Sequence, residues 1–154
     1  MSPSPVNDEL LHALIRAAES EAIEKTVVGA VIADPDGKVL LLHRAAGDYL
    51  GGLWELPSGG VDEGEGLIEA LRREVAEETG LTVSAVGDYL GHFDYRSGSG
   101  RKSRQLNFAV ATTDQTVRLA EAEHDAHLWA DRPAQDRASS AVRSVLDTWR
   151  SRTA

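Results

Sequence analysis

The stretch that decides the fold is "GGVDEGEGLIEALRREVAEETGL", residues 59–81, which carries seven of the chain's 25 acidic residues. Glycines crowd its first half, while Leu67, Leu71 and Val75 recur at every fourth position in its second. That spacing predicts a helix over about residues 65–79, entered from a glycine loop and left at Gly80. At about 100° per residue, Leu67, Ile68, Leu71 and Val75 form an apolar stripe, and Glu74, Glu77 and Glu78 converge on one face. Glu78 falls beside Leu67 and Leu71, at the margin of the stripe and not opposite it. A merely solvating acidic face would point away from the core. Like charges one turn apart cost roughly a few tenths of a kcal/mol per pair, and a cation between them removes that cost.

The donors in this segment are carboxylate oxygens, with neither Cys nor His among them. Hard oxygen ligands suit Mg²⁺ or Mn²⁺ rather than zinc or copper. Arg73 can reach Glu77 one turn on and hold it in one rotamer. The glycines ahead of the helix let the backbone approach closely enough to join a site. Taken alone, the helix is equally well explained as an exposed Glu/Arg face laced with i, i+4 pairs.

On the N-terminal side, Asn7 is the expected cap of a helix over about residues 8–23, with Leu10, Leu14, Ala17 and Ala18 at helical spacing. "TVVGAVIADPDGKVLLLHR" (26–44) holds two β-rich runs broken at Pro35-Asp36-Gly37, which reads as a hairpin. The Gly-rich "AAGDYLGGLWELPSGG" (45–60) is expected to be loop. On the C-terminal side, "LTVSAVGDYLGHFDY" (81–95) and "RQLNFAVATTD" (104–114) are expected strands flanking the basic turn "RSGSGRKS" (96–103). In the second of these, Leu106, Phe108 and Val110 alternate with Asn107, Ala109 and Ala111. "AHLWA" (126–130) reads as a further short strand, and residues 139–149 as a helix with Val142, Val145, Leu146 and Trp149 on one face. The order points to one α/β or α+β domain with helices packed on a sheet.

A chain of 154 residues buries a substantial core without disulfides or structural metals, and this one has no cysteine. No apolar run approaches the roughly 20 residues a membrane span needs. The start, "MSPSPVNDELL", lacks the basic-then-apolar pattern of a secretory signal, so a cytoplasmic protein is expected. The formal net charge of -9 argues against generic nucleic-acid binding but not against a small phosphorylated ligand.

Gly59, Glu65, Arg73, Glu74, Val75, Glu77, Glu78, Gly80 and Leu81 fall at the spacing Gly-x5-Glu-x7-Arg-Glu-apolar-x-Glu-Glu-x-Gly-apolar. This resembles the Nudix box. With "WELPSGG" ahead of it, the strand layout and the length, the resemblance extends over roughly residues 25–149. It implies a Nudix domain over residues 25–154 behind an N-terminal helical extension at 1–24, built as an α/β/α sandwich around a mixed β-sheet. It implies hydrolysis of a nucleoside diphosphate linked to another moiety, X, with Mg²⁺ or Mn²⁺ as cofactor. On that resemblance Glu77 and Glu78 are the main metal ligands, and Glu74 is a ligand or orients the attacking water. Arg73 positions a carboxylate, the Gly59 carbonyl completes the metal shell, and Glu65 is structural. A further acid from a later loop is expected, with Glu121, Glu123 and Asp125 available and Glu123 preferred. A small MutT-like nucleoside triphosphate hydrolase leads. ADP-ribose, nucleotide-sugar and dinucleoside polyphosphate substrates stay open, as does a catalytically silent nucleotide-binding module. Relatives are often homodimers, but no feature here demands one.

The remaining signals are weaker. "DPDGK" (34–38) lacks the repeating acids of a calcium loop and reads as a turn. "GSGRKS" (98–103) lacks the GK[ST] order of a phosphate-binding P-loop. Arg96, Arg101, Lys102 and Arg104 form a basic cluster in an acidic protein, so Arg101 and Arg104 are candidates for substrate contact, beside Arg44 and Tyr95. His43 ends a strand as Arg44 does, and Trp54 reads as a packing residue more than a stacking one. Trp129 and Trp149 read as core.

Overall fold

The computed structural model describes residues 5–45, 53–120 and 122–152. In chain order the elements are α1 (Asp8–Ser20), β1 (Lys25–Ile32), β2 (Val39–Arg44), β3 (Trp54–Glu55), β4 (Ser58–Gly60) and α2 (Leu67–Thr79). They continue with β5 (Val83–Arg96), β6 (Lys102–Thr112), β7 (His124–Ala130), α3 (Arg132–Gln135) and α4 (Ser140–Ser151). The strands form a four-stranded sheet in the order β4-β1-β6-β5 and a three-stranded sheet in the order β3-β2-β7. β1 and β6 run parallel and the other pairs antiparallel, so the first sheet is mixed.

Two apolar clusters lie on opposite faces of this middle layer. Val28, Ala30, Ile32, Leu40, Leu42, Leu106 and Phe108 pack with Leu67, Leu71 and Val75 of α2, and Leu10, Leu11 and Leu14 of α1 lie against that cluster. Val31, Val39, Leu41 and Ala109 pack with Val142, Val145, Leu146 and Trp149 of α4. Successive residues of β1, β2 and β6 thus enter different cores, and the strands read as continuous apolar runs for that reason. The result is an α/β/α sandwich around a mixed sheet, as expected.

Several local expectations hold. Asn7 caps α1, its Oδ1 accepting the Leu10 N–H at 2.8 Å, although the helix stops at Ser20 rather than near residue 23. Gly80 ends α2 at φ 72°, a left-handed position that a residue with a Cβ adopts only at a cost. Ser139 caps α4. The short helix α3, started by Asp131 and Pro133, escaped the sequence reading.

Two expectations are corrected. Residues 34–38 do form a tight turn, with the Gly37 N–H donating to the Asp34 carbonyl at 3.0 Å. The strands on either side do not form a hairpin: β1 lies between β4 and β6, and β2 between β3 and β7. Only an isolated Ala33–Val39 bridge joins them. Each strand has two better partners, and the chain switches sheets at the turn. The segment 45–60 is not all loop, because β3 pairs with Leu42 and His43 and β4 with Val27 to Gly29. Residues 46–52 of that segment lie outside the described residues. In β6 the expected alternation holds, Leu106, Phe108 and Val110 entering one cluster and Ala109 the other, and both faces are buried from Ser103 to Val110. Gln105 and Asn107 are tolerated there because the Gln105 side-chain amide donates to Asn107 Oδ1 at 2.8 Å, and Asn107 Nδ2 donates to the Gly91 carbonyl at 3.1 Å.

Leu71 is fully buried between α2 and the sheet. Leu71→Ala is expected to destabilise the fold by about 2–5 kcal/mol, checked by urea unfolding.

Candidate metal centre and substrate cleft

The loop–helix–loop over residues 59–81 is organised around one guanidinium. Arg73 Nε and Nη2 donate to the two Glu65 oxygens at 2.7 and 2.8 Å, and Nη2 also donates to the Gly60 carbonyl at 2.9 Å. Nη1 donates to Glu74 at 2.8 Å and Glu77 at 3.2 Å. The hydrogen bond from Arg73, helped by the Asp62 N–H, holds the Glu65 carboxyl down at about 2. Glu65 also receives that Asp62 N–H at 3.0 Å, so it staples the loop to the helix as scaffold.

Glu74 lies over Gly59 so closely that a Cβ built at Gly59 would fall 2.0 Å from its carboxylate. Glycine is needed there for approach, whatever its dihedrals. Burial raises the Glu74 carboxyl, with Arg73 opposing the rise.

Glu78 is the deepest of the three helix acids, at 5% exposure. One oxygen accepts the Ser58 N–H at 2.7 Å. The other faces His124 Nδ1 at 3.9 Å. Burial pushes this carboxyl up to about 9, and the neighbouring Glu123 carboxylate adds to the rise. Glu78, Glu123 and His124 each present one ligand atom, all within 4.8 Å of one another. Glu123 is held by its backbone, its carbonyl accepting the Ala45 N–H at 2.9 Å. His124 Nδ1 is buried and has no hydrogen-bond partner among the described residues. A crowded set of acids beside an unused imidazole nitrogen fits a divalent cation, which would take the place of the proton that burial keeps on Glu78.

The structure therefore brings Glu78 and Glu123 together and adds His124, which the sequence reading missed. In the sequence His124 lies among the acids of 121–125, and nothing in its spacing ties it to Glu78, 46 positions earlier. Glu77 lies outside that group, exposed and touched by Arg73. Asp125 turns away to His43 Nδ1 at 2.6 Å, and Glu121 lies outside the described residues.

Beside the cluster a cavity of about 390 Å³ opens, lined by Arg44, Trp54, Glu55, Ser58, Tyr95 and Gln105, among others. Arg44 Nη2 grips both Glu55 oxygens at 2.8 and 3.0 Å, and burial raises the Tyr95 phenol. Trp54 contributes to this wall while its ring lies 5.0 Å from that of His43. A second, polar depression of about 430 Å³ is lined by Lys25, Gly60, Asp62, Glu74 and Arg101. Arg104 is elsewhere engaged: it is buried, chelated by Asp94 at 2.7 and 2.9 Å, and bonded to Glu21 at 2.9 Å.

The acids of α2 thus border a three-layer sandwich, and the cavity beside them meets the cluster through Glu55 and Ser58. The family model for the NUDIX domain matches residues 24–141, and the chain belongs to that family. It is similar to an RNA pyrophosphohydrolase of Caulobacter vibrioides, 51% identical over an alignment of 71 residues that covers 44% of this chain and 40% of that protein. The chain thus spans less than half the length of that relative. A CTP pyrophosphohydrolase of Escherichia coli K12 is 37% identical over 103 residues, covering 67% of this chain and 73% of that one. Among solved structures, the MutT protein of Methanosarcina mazei Go1 superposes with a TM-score of 0.73 at 27% identity, covering 84% of this chain and 94% of that one. No described helix is long and apolar enough to cross a membrane.

Two outcomes follow from this geometry. Because folded Glu78 keeps its proton up to about 9 while the unfolded carboxyl releases it near 4.5, the folded state binds more protons between those values. Stability of the metal-free protein is therefore expected to fall as pH rises through that window, and Glu78→Gln to flatten the slope, measured by thermal unfolding in chelator. Gly59→Ala is expected to expel Glu74 from its place and weaken binding of a divalent cation by about tenfold, measured by calorimetry.

Proposed function

We propose that the protein is a divalent-cation-dependent pyrophosphohydrolase acting on a nucleoside triphosphate and releasing the nucleoside monophosphate and pyrophosphate. One observation carries the reading. Glu55 and Ser58 line the 390 Å³ cavity, and each also hydrogen-bonds a member of the metal cluster, His124 and Glu78 respectively. A base seated among Trp54, Phe93 and Tyr95 would lead its phosphates onto the acids of α2. Similarity to the MutT protein and to the CTP pyrophosphohydrolase supports a free nucleotide as substrate.

Glu78, Glu123 and His124 would hold the cation, Mg²⁺ or Mn²⁺, which when bound neutralises charge on the phosphates. The chain's own residues supply positioning, which carries most of the catalysis in phosphoryl chemistry. Glu74, which Arg73 holds above Gly59, would orient a water and take its proton. That water adds to phosphorus as the anhydride P–O bond breaks and pyrophosphate leaves. Lys25 and Arg101, which line the second depression together with Gly60 and Glu74, would offer positive charge to the departing group.

A second reading, removal of pyrophosphate from a 5′-triphosphorylated RNA end, is favoured by the 51% identity to the RNA pyrophosphohydrolase. One panel decides between them: CTP, dCTP, ATP, an oxidised dGTP, ADP-ribose, a nucleotide sugar, a dinucleoside tetraphosphate and a short triphosphorylated RNA. The expected outcome is turnover of a nucleoside triphosphate with Mg²⁺ or Mn²⁺, lowered in Glu78→Gln by more than about a hundredfold, beyond the loss from groups that only orient a ligand. Preferred turnover of the RNA moves the protein to the second reading. Equal nucleotide binding by both forms without any turnover makes it a silent binding module.

A further inference from the structure

We infer that His124 is a nitrogen ligand in the cation site and that the Arg44–Glu55–His124 chain makes the site prefer Mn²⁺ over Mg²⁺. This rests on the reading above that the Glu78 cluster holds a divalent cation.

His124 is 1% exposed, and its two ring nitrogens have unlike surroundings. Nε2 lies 2.8 Å from Glu55 Oε1. Glu55 is itself fixed by Arg44 through two hydrogen bonds of 2.8 and 3.0 Å. A carboxylate so held can only accept, so the imidazole hydrogen sits on Nε2 and the Nδ1 lone pair is left bare. That nitrogen has no hydrogen-bond partner among the described residues and lies 3.9 Å from Glu78 Oε2, in the group that Glu123 completes. A histidine serving only the core would have both nitrogens satisfied, because a buried unpaired polar atom costs stability. One nitrogen on a carboxylate and the other aimed at anionic oxygens is the arrangement of a metal-binding imidazole.

The backbone is shaped to this end. β7 pairs with β2 through His43↔Ala126 and then Arg44↔His124, so Asp125 is an extra residue opposite the His43–Arg44 link. This bulge re-aims the side chains at the start of the strand. Asp125 goes out to His43, and His124 goes in beside Glu78. Two carboxylates alone would suit Mg²⁺, which holds to oxygen ligands and gives up water reluctantly. Replacing one oxygen by imidazole favours an ion that accepts nitrogen while keeping an oxygen-rich octahedral shell, and Mn²⁺ meets both conditions.

The test uses the full chain, freed of metal and titrated separately with Mn²⁺ and Mg²⁺ by calorimetry. Electron spin-echo spectra of the Mn²⁺ form, with and without ¹⁵N-histidine, report directly bound nitrogen. Wild type is expected to bind Mn²⁺ at least about tenfold more tightly than Mg²⁺ and to show histidine nitrogen modulation. His124→Phe is expected to lose the modulation and to weaken Mn²⁺ binding by at least about tenfold more than Mg²⁺ binding, so that most of the Mn²⁺ preference goes. Glu55→Gln, whose amide can donate to Nε2 and push the hydrogen onto Nδ1, is expected to lower the preference while His124 remains, and it decides the matter should His124→Phe not fold. Tight Mn²⁺ binding without histidine modulation, or a preference unchanged in both variants, overturns the inference and leaves the pyrophosphohydrolase reading standing. If neither ion binds, both fall together.

Discussion

Arg73 carries the constraint on which the rest of the site depends. A guanidinium offers five N–H groups in a rigid fork, and here they reach Glu65, Glu74, Glu77 and the Gly60 carbonyl at once. Asp62 lies a further 3.4 Å away. One cation so surrounded fixes the loop, the helix and the end of β4 in a single arrangement. It cannot neutralise four acids, so the local field stays negative. Glu78 lies beyond its reach and is held by the Ser58 N–H instead. The charge that remains fits a divalent cation at Glu78, Glu123 and His124.

The layers around this loop explain why such a costly group can sit where it does. α2 presents Leu67, Leu71 and Val75 to the sheet, and Glu78 shares the buried edge of that stripe. Burial of the apolar residues offsets the desolvation of the carboxyl, which in turn stays protonated unless a cation replaces the proton. Stability and function pull on the same helix in opposite directions, as is common where a site is built into a core margin.

Much of this was legible in the chain. The helix, its apolar stripe and the marginal position of Glu78 followed from periodicity alone, and the reach of Arg73 to Glu77 followed from their i, i+4 spacing. The sandwich was legible from the order of strands and helices. What escaped depends on contacts between distant residues. Pairing of β1 and β2 with other strands cannot be read from a turn, because a turn fixes direction and not partners. Glu55 looked like part of a loop, yet it is the group that orients His124. The burial of Arg104 by Asp94 and Glu21 was hidden for the same reason: a basic run at a turn looks solvated until its neighbours are known. Asp125, adjacent to Glu123, is carried the other way by a one-residue bulge that leaves no mark in hydropathy.

The division of the strands into two sheets has a mechanical side. Glu78 and Ser58 travel with the four-stranded sheet, whereas Arg44, Glu55 and His124 travel with the three-stranded one. The gap between Glu78 and His124 is thus a caliper across the seam of the molecule. A slide of one sheet against the other by a fraction of an ångström would open or close it. Leu40 and Leu42 of the three-stranded sheet and Val28 of the other share one apolar cluster, so the packing that joins the two sheets also sets this gap.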